Sequence, residues 1–109
     1  MPDASLLHDD RVRRDDALEH LKRCEPRLRA RGVRSLYLFG STARDEAGER
    51  SDVDLLFDHD PASRFSLFTQ AELIEELSTE IGARVDLIAL DGLRPAFRDR
   101  VAPQMVQVF

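Results

Sequence analysis

Cysteine is nearly missing from this chain: Cys24 stands alone among 109 residues. No internal disulfide can form, and a reducing cytoplasm is the natural compartment. Lysine is equally scarce, with Lys22 alone among the 16 basic residues, a bias of genome composition more than of function. No apolar run approaches the roughly 20 residues of a membrane-spanning helix, and no membrane partner is expected. Residues 1–10 lack the basic region and apolar core of a signal peptide, and residues 1–12 are read as one segment. They are expected to form a flexible extension, with one domain over 13–109. Internal repeats and low-complexity segments are absent, which excludes a solenoid. The net charge is −5, with no basic stripe or lysine-rich tail, so direct nucleic-acid binding is not expected.

What remains is a chain long enough for a modest core. Its 42% hydrophobic and 34% charged residues fit a soluble globular domain. Leu18, Leu21 and Leu28 recur at helical spacing over 13–31. Pro26 falls inside that region, so a kink or break is expected, with Pro26 in the first turn of a second helical piece. Gly32 closes it. Strands are expected over 35–39, 53–57 and 85–90. Between the last two lies a helix whose stripe is Leu67, Ala71, Ile74, Ser78 and Ile81, widened by Leu77 and ended by Gly82. A short helix over 93–101, with Pro95 near its start and Pro103 after it, and an edge strand over 105–109 complete the reading. The fold class is α/β (α+β): a small mixed sheet with packed helices.

One stretch carries chemistry. Leu36-Tyr37-Leu38-Phe39 runs into Gly40-Ser41, and ten residues later Asp52-Val53-Asp54 opens a second apolar strand. Side chains alternate along a strand, so Asp52 and Asp54 point to the same side. Two carboxylates held together repel unless a cation sits between them, and hard oxygen ligands suit Mg²⁺ with substrate phosphates. Backbone N–H groups of a Gly-Ser turn can meet phosphate oxygens where a helical turn begins. Metal clamp and phosphate cradle together imply nucleotide chemistry.

A third acid follows from topology. A strand–helix–strand crossover makes 53–57 and 85–90 parallel and right-handed. Their starts then share one edge, which sets Asp86 beside Asp52 and Asp54. An antiparallel first strand brings Gly40-Ser41 to the same edge. Each feature has a plainer reading: Asp-x-Asp is common in loops, and Asp86 alone could cap a strand end. Arg44 either holds a phosphate or pairs with Asp45 or Asp52. His8, His20 and His59 show no ligand spacing; His20 is expected to be solvated on its charged helix, and a rim role for His59 is the weaker reading.

Gly40-Ser41, ten residues, Asp52-x-Asp54, flanked by Phe39, Ala43, Arg44 and Ser51, resembles the nucleotidyltransferase signature of the DNA polymerase β superfamily. More narrowly, it resembles the minimal nucleotidyltransferase (MNT) proteins, from about Leu18 to the end. The resemblance implies a polymerase-β-like fold. It implies Mg²⁺ held by Asp52, Asp54 and Asp86, ATP as substrate, and Gly40, Ser41 and Arg44 at its phosphates. It also implies an antitoxin that transfers AMP to a hydroxyl, that of a tyrosine first, on a HEPN ribonuclease toxin, silencing it. The alternatives are an antitoxin acting by binding alone, and transfer to a small molecule. The chain looks too short for the extra domain with which larger relatives hold their acceptors, so a partner is expected to supply the acceptor.

Overall fold

The computed structural model describes residues 14–40 and 53–109. Two helices come first, α1 (Arg14–Arg23) and α2 (Glu25–Ala30). The break between them falls at Cys24, with Pro26 in the first turn of α2, where a missing N–H costs nothing. Strands β1 (Val33–Phe39) and β2 (Val53–His59) follow, then helix α3 (Leu67–Ile81) and strand β3 (Val85–Ala89). Leu90 belongs to a 3₁₀ turn rather than to β3. Helix α4 (Pro95–Val101) and a two-residue strand β4 (Val106–Gln107) end the chain.

The four strands stand in the order β3-β2-β1-β4. β2 pairs with β1 antiparallel and with β3 parallel, as the crossover through α3 requires. β4 lies antiparallel on the far side of β1, extended by Val108 N–H donating to the Leu36 carbonyl at 2.8 Å. Both ends of α3 are fixed locally. The Ser66 hydroxyl accepts from Thr69 N–H at 3.2 Å, and Gly82 closes the helix in the left-handed conformation at φ 79°. An N-cap of this kind contributes about 1 kcal/mol.

The core lies between one face of the sheet and the helices α1, α2 and α3. Alternation sends Val53, Leu55 and Phe57 of β2 and Val85 and Leu87 of β3 to that face, where they meet Leu21, Leu28, Leu73 and Leu77. Each of these leucines contributes about 1.5–3 kcal/mol through burial. The opposite face carries Asp54, Leu56 and Asp58 of β2 and Asp86 and Ile88 of β3.

The stripe expected for α3 is turned. Leu67 is 82% exposed and Ala71 is exposed as well, while Leu73 and Leu77 are buried. The helix meets the sheet through Gln70, whose side-chain amide donates to the Leu87 carbonyl at 2.6 Å, and this rotation carries Leu67 and Ala71 off the contact. His20 also departs from expectation. Its ring is partly covered, with Nδ1 buried, 3.8 Å from Glu80 Oε2 and without a hydrogen bond. The packing of α1 against α3 covers that side of a helix otherwise rich in charge. No helix among the described residues is long and apolar enough to cross a membrane.

Candidate active site

Sheet register builds the site. Phe39, the last residue of β1, pairs with Asp54, and Asp54 pairs with Asp86 across the parallel ladder. Adjacent strands lie about 4.8 Å apart, so the two acids stand side by side. Both leave the sheet on the face away from the core. Asp54 is half-buried and Asp86 exposed. Like charges at that spacing cost on the order of 1 kcal/mol even in water.

Gly40 completes the described part. It follows β1 directly with φ at +77°, a region that side chains rarely enter. A Cβ built there would stand 2.6 Å from Asp54 Oδ2. Glycine is thus required twice over, by the backbone conformation and by the carboxylate packed against it. Ser41, Arg44 and Asp52, singled out with these residues, lie outside the described part of the chain. Among the described residues no three acids, histidines or cysteines converge on a metal position. Asp54 and Asp86 nevertheless form the oxygen donor pair that a hard divalent cation takes.

Other acids are managed differently. Asp58, on the same face of β2, receives Arg34 at 2.8 Å, and the hydrogen bond and charge of Asp58 raise the guanidinium above its ordinary range. No ion pair of this kind reaches Asp86 among the described residues. His59 stands at the other end of β2, roughly 16 Å along the strand from Asp54. It stacks on Phe65 at 5.2 Å with Nε2 3.6 Å from Asp91, and so takes no part at the acid edge. A groove of about 640 Å³ on the helical layer, lined by Arg27, Arg31, Glu72, Glu75, Glu76, Thr79 and Glu80, is a mesh of opposite charges. It holds no grouping for catalysis.

Comparison with known proteins agrees with this geometry. Residues 19–106 match the family described as the nucleotidyltransferase domain. Over 77 residues the chain is 42% identical to the protein adenylyltransferase MntA of Thermococcus cleftensis, spanning 71% of this chain and 76% of that protein. A solved structure of a candidate minimal nucleotidyltransferase superposes with a TM-score of 0.67 at 32% identity, covering 85% of this chain and 89% of that one. The fold recurs, at 21% identity and a TM-score of 0.62, in the complex of tri-AMPylated Shewanella oneidensis HEPN toxin with MNT antitoxin, covering 85% of this chain and 71% of that one. A glycine turn packed on one of two acids in parallel register, within a match that spans most of the chain, places this protein in the nucleotidyltransferase domain family.

Proposed function

We propose that this protein is an antitoxin that transfers AMP from ATP to a hydroxyl, that of a tyrosine first, on a HEPN ribonuclease toxin. The observation that carries the reading is the juxtaposition of Asp54 and Asp86 beside Gly40. A chain that acted only by binding would have no need to hold two like charges together. The name of the Thermococcus cleftensis relative and the AMPylated toxin in the Shewanella oneidensis complex support the same acceptor class.

Asp52, Asp54 and Asp86 would hold Mg²⁺, which when bound neutralises the phosphates and orients them. Gly40 leaves room for the triphosphate to approach the backbone, and the Ser41 hydroxyl donates to a phosphate oxygen. Arg44 adds a positive charge to the same group. The acceptor oxygen forms a bond to the α-phosphorus, the bond from that phosphorus to the bridging oxygen breaks, and pyrophosphate leaves. Asp86, the exposed acid, accepts a hydrogen bond from the incoming hydroxyl and takes up its proton. No covalent nucleophile of the chain is needed, because positioning and charge supply most of the rate. The adenylate then adds negative charge to the toxin, where it opposes RNA binding.

Intact-mass spectrometry of a cognate HEPN protein, incubated with this protein, ATP and Mg²⁺, tests the reading. The partner should gain one adenylate mass per transfer, and Asp52→Ala/Asp54→Ala should abolish the gain. A partner left unmodified yet fully silenced by both proteins would overturn transfer in favour of binding alone.

A further inference from the structure

Among the described residues, Asp86 sits on an edge strand of the sheet, with β2 on one side only. The Arg84 carbonyl accepts from Val53 N–H at 2.8 Å. By alternation, the main-chain groups of residues 84, 86 and 88 turn toward β2, and those of Val85 and Leu87 turn outward. Both flanks of Asp86 are then caught by α3. Val85 N–H donates to the Ser78 hydroxyl at 3.1 Å, and the Gln70 side-chain amide donates to the Leu87 carbonyl at 2.6 Å. Gln70 and Ser78 stand about two turns apart, which brings both to the same side of the helix. The Asp86 side chain itself leaves on the opposite face of the sheet.

We propose that Gln70 and Ser78 are positioning residues for nucleotide transfer, clamping β3 one residue either side of Asp86 and so holding its carboxylate in register with Asp54. The inference rests on the transfer reading above. A parallel edge strand is held by slanted hydrogen bonds on one side alone. Sliding or peeling of β3 would carry Asp86 out of register with Asp54. The two side-chain bonds oppose the movement at Val85 N–H and at the Leu87 carbonyl, one residue either side of the acid. Outer partners of this kind orient ligands that never touch them.

A double-mutant cycle in the full chain separates positioning from simple support of the fold. Mn²⁺–ATP affinity is measured by calorimetry for wild type, Gln70→Leu, Ser78→Ala, Ser78→Thr, Asp86→Asn and Gln70→Leu/Asp86→Asn. Gln70→Leu and Ser78→Ala should each weaken binding about tenfold, the lower end for lost outer partners of a metal ligand. Ser78→Thr keeps the accepting hydroxyl and should restore wild-type affinity. In the Asp86→Asn background, Gln70→Leu should cost nothing further, because the residue it positions is gone. An equal loss in both backgrounds, or no loss in either, overturns the proposal. Gln70→Glu keeps the shape without the donor and takes the place of the leucine variant if that variant does not fold. If wild type binds no Mn²⁺–ATP, the transfer reading fails by itself. Amide exchange at Asp86 and Ile88 in the metal-free protein then decides the clamp: faster exchange in Gln70→Leu and Ser78→Ala supports it, and unchanged exchange overturns it.

Discussion

The helical layer of this small sheet and the acid edge on its other face arrange their acidic side chains differently. On the helical layer, glutamates are matched by arginine. Arg31 reaches Glu72 and Glu76, Arg27 reaches Glu80, Arg29 reaches Glu25, and Arg23 reaches Glu19. On the other face, Asp58 takes Arg34, and Asp54 and Asp86 stand in parallel register. Arginine–glutamate pairs cover the helical layer, and two acids in parallel register mark the edge that carries the candidate site.

Three substitutions would break or sharpen that contrast. Leu77→Ala attacks the packed side. Leu77 is 2% exposed between α3 and the sheet, and its truncation should cost about 2–5 kcal/mol in urea unfolding. The transfer rate per folded molecule should stay near wild type. Gly40→Val attacks the working side. The new side chain would enter a positive-φ position 2.6 Å from Asp54 Oδ2. Displacing that carboxylate by about 1 Å should lower transfer by at least 100-fold, while the backbone strain costs only about 1–3 kcal/mol. A variant that keeps full activity would show that Asp54 does not need its present position. Arg31→Gln should move neither property much. It removes the ion pairs to Glu72 and Glu76, and exposed pairs of this kind are worth less than about 1 kcal/mol each by thermal melting.

The same contrast explains what could be read from sequence. Parallel pairing of β2 with β3, and with it the placing of Asp86 beside Asp54, follows from one crossover helix and needs no knowledge of side-chain contacts. The break near Pro26 and the stop at Gly82 follow from single-residue stereochemistry. The rotation of α3 does not follow. Leu67, Phe68, Leu73, Ile74, Leu77 and Ile81 offer more than one apolar arc at helical spacing, and only the contact with β3 selects among them. Gln70 was invisible for the same reason: a polar residue at the margin of a stripe reads as solvated until the carbonyl it meets is known. The partial cover of His20 does not follow from sequence either, because its neighbour Glu80 belongs to α3, distant along the chain. The parts of the signature at Ser41, Arg44 and Asp52 stand on sequence and family alone.

The grip of α3 on β3 has a consequence for the protein at high concentration. Exposed sheet edges offer unpaired amides and carbonyls on which another chain can add as a strand. Here the outward Val85 N–H and the outward Leu87 carbonyl on one edge are already taken by side chains. The other edge is a strand of only two residues. Neither border presents a long template, so the sheet is guarded against fibrous self-association by short length on one side and by two polar side chains on the other. Substitutions at Gln70 and Ser78 would therefore reopen a sticky border as well as loosen an acid, and light scattering of concentrated samples would register the first effect without any nucleotide present.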